Sequence, residues 1–142
     1  MLTPKDIMAK DVKYIHPDDS LKDAAETMKT FEIGAMPVVR DGKVVGMITD
    51  RDILVRAIAE DNDPQSTNIK DAMTAEPITI YEDQGIDEAG RLMKENQVRR
   101  LVVLNRNEEI SGMFSLGDLA TAAIDERTSG DVLESISKPS TS

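Results

Sequence analysis

Thr49 and Asp52 stand three residues apart behind Gly46-Met47-Ile48, and Ser115 and Asp118 stand three apart behind Gly112-Met113-Phe114. A hydroxyl and a carboxylate at this spacing, where an apolar run gives way to a helix start, can receive a sugar. The carboxylate accepts from two vicinal hydroxyls, which a ribose offers, and the freed N–H groups of the helix start favour an anion beside it. The same spacing suits a helix N-cap with an acid in the first turn. Both uses fit the residues. Phosphate further requires positive charge. Arg51 lies inside the first motif, where the second has Gly117. Arg99 and Arg100 precede the second motif's strands, where the first copy has Gly34 and Ala35, so two unequal sites are expected. A guanidinium fork matches phosphate oxygens; the competing use is a surface ion pair worth under about 1 kcal/mol. Asp50-Arg51-Asp52 alone, two carboxylates without further oxygen ligands, is a weak site for Mg²⁺.

Composition narrows the remaining chemistry. The 142 residues contain no Cys and one His, His16. Thiolate nucleophiles, zinc–thiolate sites and multi-histidine metal centres are therefore excluded within one chain. His16, next to Pro17, reads as a solvated strand end. Twenty-seven acids against 17 bases give a net charge of −10, which opposes binding to nucleic acid or an anionic membrane. No segment approaches the roughly 18 apolar residues of a membrane span, and the expectation is a cytoplasmic protein. An enzyme is disfavoured, because no nucleophile–base pair is in view. Eight Met and few aromatics leave the core to Ile, Val, Leu, Ala and Met.

The elements that must position the motifs repeat. Residues 5–40 lie on 70–105 without a gap, with nine identities in 36 positions, and Gly46–Glu60 lies on Gly112–Glu126 with six in 15. Each copy reads as a short strand (Lys13–His16; Ile78–Tyr81), then an amphipathic helix with apolar residues at helical spacing (Leu21, Ala24, Ala25, Met28; Ile86, Ala89, Gly90, Met93). Ser20 and Asp23 have the spacing of a capping box. Two apolar strands follow, Met36–Val39 and Val44–Thr49 around an Asp41-Gly42 turn, and Leu101–Leu104 and Ile110–Ser115 around a longer one. A helix closes each copy, over 50–60 and 116–126. The organisation is α+β: repeat one over 1–60, a polar, proline-containing linker over 61–69, repeat two over 70–126 and a tail over 127–142, in which Val132, Leu133 and Ile136 could form one apolar turn.

This tandem, opening with Lys-Asp-x-Met and closing with Gly-hydrophobic-hydrophobic-Thr/Ser-x-x-Asp, resembles a pair of CBS domains (named for cystathionine β-synthase), a Bateman module. Ile33–Val39 and Gln97–Leu101 resemble segments of small stand-alone bacterial and archaeal CBS-pair proteins. The resemblance covers residues 1–126. It implies two β-α-β-β-α repeats about a pseudo-twofold axis, with two clefts for an adenosyl ligand: AMP, ADP, ATP, an NAD-type dinucleotide or S-adenosylmethionine. It also implies a non-catalytic sensor that forms a homodimer through its helices and acts on a separate protein effector. On this resemblance Asp52 and Asp118, with Thr49 and Ser115, hold ribose. Arg51, and Arg99 or Arg100 across the pseudo-twofold axis, are phosphate contacts. Val12, Met36, Pro37 and Ile48 line one base pocket, and Ile78, Leu101, Val102 and Phe114 the other, although each of these also fits an ordinary core. Thr79 matches a hydroxyl frequent on the first strand. Tyr14 departs from that pattern, and its ring either stacks on adenine or fills the cleft. Tyr14 and Gly117 support the alternative, a structural protein–protein interaction module with degenerate clefts.

Overall fold

The computed structural model describes residues 2–126; the apolar turn expected of Val132, Leu133 and Ile136 lies outside them. In chain order the elements are α1 (Pro4–Ile7), α2 (Leu21–Phe31), β1 (Ala35–Arg40), β2 (Lys43–Thr49) and α3 (Asp50–Leu54), which runs into a π-helical stretch (Val55–Ala59). A 3₁₀ turn (Ile69–Asp71), β3 (Thr74–Ala75), β4 (Thr79–Tyr81), α4 (Ile86–Asn96), β5 (Arg100–Leu104), β6 (Ile110–Ser115) and α5 (Leu116–Glu126) complete them. They form two compact units. The first is Val12–Pro77; the second, among the described residues, is 2–11 with 78–126.

The compact units do not follow the repeat boundaries, because each repeat lends its opening element to the other's sheet. In the second unit Ala9 bridges Met113, and the two residues exchange N–H···O bonds of 3.0 Å in both directions. In the first unit β3 pairs with β2 through Gly46↔Ala75 and Met47↔Thr74. The repeated Met of Lys-Asp-x-Met thereby lies over the repeated Gly of the closing motif: Met8 over Gly112, Met73 over Gly46. A side chain at either glycine would meet a sulfur and a neighbouring carbonyl.

Within the first unit the sheet order is β1-β2-β3, and β1 and β2 form an antiparallel hairpin. Asp41 and Gly42 both take positive φ (52° and 77°), the two-residue turn that an Asp-Gly pair signals. The capping box expected at α2 forms: Ser20 Oγ accepts from the Asp23 amide at 3.1 Å, and Asp23 Oδ2 accepts from the Ser20 amide at 3.0 Å. Leu21, Ala24 and Met28 then pack against Ile15, Met36, Val38 and Ile48. The strand expected over Lys13–His16 reduces to a single bridge, Ile15↔Val38. Beyond that bridge the chain turns, and the Asp19 carboxylate accepts from the His16 amide at 3.0 Å. The polar 61–69 segment is knitted onto the start of α2. The Leu21 and Lys22 amides, which lack intrahelical partners, donate to the Thr67 and Pro64 carbonyls at 3.0 Å, and Ile69 is fully buried. The helix expected over 50–60 widens at Val55, and the Glu60 amide bonds five residues back to the Val55 carbonyl at 2.9 Å. No proline or glycine at Val55 accounts for the change.

The second unit repeats the plan with a better-formed first strand, giving the order β4-β5-β6, β4 parallel and β6 antiparallel to β5. α4 starts at Gly85 without a side-chain cap and is held by Ile86, Ala89 and Met93 packing on Leu101, Val103 and Phe114. Both hairpins carry a bulge at the same place, between Val38 and Val39 and between Val103 and Leu104. The bulged residues are Val45 in one and Ser111 in the other. Val45 packs on its core, whereas the Ser111 hydroxyl is buried without a partner among the described residues. A buried unsatisfied hydroxyl costs about 1–3 kcal/mol. Ser111→Ala is therefore expected to stabilise the chain by about 1 kcal/mol, read as a higher urea midpoint at unchanged slope.

Candidate functional site

Both motifs are built alike. Thr49 ends β2 as the N-cap of α3; its Oγ1 accepts from the Asp52 amide at 3.1 Å, and Asp52 Oδ2 accepts from the Thr49 amide at 2.9 Å. Ser115 and Asp118 reproduce this at the start of α5 with the same two distances, 3.1 and 2.9 Å. Capping is thus one use of these residues, and it sets their geometry. Each carboxylate spends Oδ2 on the cap and leaves Oδ1 without a partner among the described residues. Both acids are half-buried.

Strand register decides which of the other candidates share the motif's side of the sheet, since directly paired residues point to one face. In the second unit Leu101↔Phe114 and Val103↔Gly112 face the core. Arg100↔Ser115 and Val102↔Met113 face the opposite way, and Thr79, paired with Val102, joins them. In the first unit Met36↔Ile48 face the core, and Ala35↔Thr49 and Pro37↔Met47 the other side. Tyr14 alternates with the core residue Ile15 and is 65% exposed. Val12 and Ile78 are half-buried, Ile78 against the second core.

Of the base-pocket candidates, Met36, Ile48, Leu101 and Phe114 are 0% exposed and fill the two cores. The reason is strand periodicity. They sit one residue out of step with Pro37, Thr49, Val102 and Ser115, so their side chains project to the helix-covered face. Met47 and Met113 on the motif face were not singled out from sequence; the two-residue alternation back from Thr49 and Ser115 identifies them.

Arginine placement divides sharply. Arg40, Arg56, Arg91 and Arg106 pair with Asp18, Glu60, Glu88 and Asp83. A hydrogen bond from Arg106 holds the Asp83 carboxyl below its ordinary range, and one from Lys70 does so for Asp18. The other three described arginines, Arg51, Arg99 and Arg100, are exposed and have no side-chain partner among the described residues. All three lie beside the motifs. Arg51 is in the first turn of α3, the Arg99 carbonyl accepts from the Leu116 amide at 2.8 Å, and Arg100 is the cross-strand partner of Ser115. No group of three His, Cys, Asp or Glu side chains suited to a metal occurs among the described residues. No helix among them is long and apolar enough to cross a membrane.

Two units of sheet and helix, each closed by a hydroxyl–carboxylate pair at a strand–helix junction, define a CBS pair. The chain belongs to the CBS-domain family, whose model matches residues 5–58 and 69–125. It is 40% identical to the Bacillus subtilis (strain 168) protein YlbB over 136 residues, 94% of this chain and 90% of that one. Hypoxic response protein 1 of Mycobacterium tuberculosis (strain H37Rv) is 31% identical over 121 residues, 84% of each chain. Among solved structures, the CBS domain pair of protein MJ0100, in complex with 5′-methylthioadenosine and S-adenosyl-L-methionine, superposes with a TM-score of 0.77. That pair is 26% identical and is matched over 89% of this chain and 98% of its own.

Proposed function

We propose that the chain is a non-catalytic regulatory module that binds adenosyl ligands and reports their presence through its helical surface. The observation that carries this reading is the duplicated motif geometry. Two carboxylates each keep one oxygen unspent among the described residues, at the edge of a sheet face that also bears Thr79 in one unit; in the other, the Ile15↔Val38 bridge sets Tyr14 level with Pro37 of that face. Asp52 and Asp118 accept the ribose hydroxyls, and Thr49 and Ser115 hold them in place. Pro37, Val12, Ile78 and Thr79 contribute to the walls around the base. The exposure of Tyr14 favours a stacking role over a space-filling one. Arg51, Arg99 and Arg100 are available to a phosphate, with any Mg²⁺ entering on the nucleotide. The relative that binds 5′-methylthioadenosine and S-adenosylmethionine supports the ligand class.

The reporting surface is apolar. Ile58 and Ile124, at equivalent places in the two repeats, are 72% and 78% exposed. In the first unit Ile53, Leu54, Ala57 and Ile58 line an open groove of about 540 Å³ with Ala25 and Pro64. A homodimer through these helix faces, cytoplasmic and acting on a protein effector, completes the reading. The same exposed surface favours a second reading, an interaction module without a ligand. A thermal-shift panel with AMP, ATP, NADH, 5′-methylthioadenosine and S-adenosylmethionine separates the two. At about 100 times Kd a ligand selective for the folded state adds about 2.7 kcal/mol. A dimer by light scattering with no melting shift from any of these at millimolar concentration would establish the second reading instead.

A further inference from the structure

The two motifs carry opposite local charge. Around Ser115 the flanking positions are Leu116, Gly117 and Asp118, with Arg99 and Arg100 at the adjoining end of β5. Two positive charges face one negative. Around Thr49 the flanking positions are Asp50, Arg51 and Asp52, and the places of Arg99 and Arg100 are taken by Gly34 and Ala35. Two negative charges face one positive. The Asp50 carboxylate also leans over Gly34, with Oδ2 3.0 Å from where a β-carbon on Gly34 would lie. Arg100 is the group best placed to discriminate. It shares a sheet face with Ser115, Thr79 and Val102, and it is exposed and without a side-chain partner among the described residues, although the chain has ten more acids than bases. Four other arginines of the same chain have found carboxylates.

Resting on the adenosyl reading above, we propose that the two motifs sort adenosyl ligands by charge. The Ser115–Asp118 motif, through Arg100, takes a ligand that carries phosphate. The Thr49–Asp52 motif, where Ala35 takes the place of Arg100 and Asp50 and Asp52 outweigh the single charge of Arg51, takes an adenosyl compound that carries none. A guanidinium–phosphate contact is charge-assisted and forked, whereas an uncharged thioether nucleoside gains nothing from it. The chain would then read two pools at once, a nucleotide and a neutral or sulfonium adenosyl metabolite.

Calorimetric titration with AMP and with 5′-methylthioadenosine tests this on the full chain. The unaltered protein is expected to take one AMP per chain tightly. Arg100→Ala should weaken AMP tenfold to a hundredfold while changing 5′-methylthioadenosine less than twofold. Ala35→Arg should create a second AMP equivalent. Equal loss of both ligands in Arg100→Ala, or two equivalent AMP sites in the unaltered protein that ignore the substitution, would overturn charge sorting and leave adenosyl binding standing. Absence of binding by either compound, with the melting curve intact, would overturn the adenosyl reading and the sorting with it.

Discussion

Gly112→Ala is expected to destabilise the chain by about 3 kcal/mol, and Gly46→Ala by nearly as much. A β-carbon on Gly112 would lie 2.5 Å from Met8 Sδ and 2.6 Å from the Ala9 carbonyl oxygen; on Gly46 it would lie 2.6 Å from Met73 Sδ and 2.8 Å from the Thr74 carbonyl oxygen. The methionine ends can swing away. The carbonyls cannot, because Ala9 exchanges both ladder bonds with Met113 and Thr74 sits in the ladder opposite Met47. Moving either carbonyl detaches the segment that one repeat lends to the other's sheet. Of a typical total stability of about 5–15 kcal/mol, such a loss is large. Urea unfolding measures it, and adding Met8→Ala to Gly112→Ala should recover only part of it. Gly117→Ala is the contrasting case. Its β-carbon would meet nothing closer than Ser115 Oγ at 3.5 Å, and a helical Gly→Ala change should stabilise by up to about 1 kcal/mol. Gly112→Ala with unaltered stability would mean that the Met8–Ala9 segment is not seated on β6.

Asp118→Asn and Asp52→Asn should separate capping from ligand recognition by size of effect. Asparagine can still accept from the N-cap amide, so the fold loses mainly the charge–dipole contribution of about 0.3–1 kcal/mol. A ribose loses a charged acceptor, and hydrogen bonds to charged groups contribute about 1.5–3 kcal/mol. Affinity at the affected motif is therefore expected to fall roughly tenfold to a hundredfold, each 1.4 kcal/mol being a factor of ten. Asp118→Ala should show the same affinity loss with a further stability loss of about 1 kcal/mol, because the bond that the Ser115 amide donates to the Asp118 carboxylate is lost as well, while Ser115 still caps the amide of residue 118. Variants that bind like the unaltered protein and lose only stability would reduce both acids to helix caps.

Most of this architecture was legible because it was written twice. A helical period with a capping box at Ser20, an Asp-Gly turn and two Gly-x-x-Thr/Ser-x-x-Asp endings are local signals, and the elements they announce are present at α2, at the β1–β2 turn and at the two strand–helix junctions. Two kinds of feature escaped. The exchange of opening elements between units is a long-range arrangement with no local pattern in the sequence. The inward or outward sense of strand residues is also left open by the sequence at Met36 and Leu101, which fit a cleft wall and an ordinary core alike; both lie in the cores, 0% exposed. An unbroken apolar run such as Leu101–Leu104, buried along its whole length, does not disclose its register. Counting back by twos from Thr49 and Ser115 resolves it and leaves Pro37, Met47, Val102 and Met113 on the motif face.

The most direct measurement is a titration of the unaltered chain with AMP followed by amide chemical shifts. The account predicts saturable shifts that concentrate on the Ser115, Asp118, Arg100 and Thr79 amides and are greatly weakened in Asp118→Asn. Shifts that do not saturate at millimolar AMP, or that saturate equally in Asp118→Asn, would contradict it.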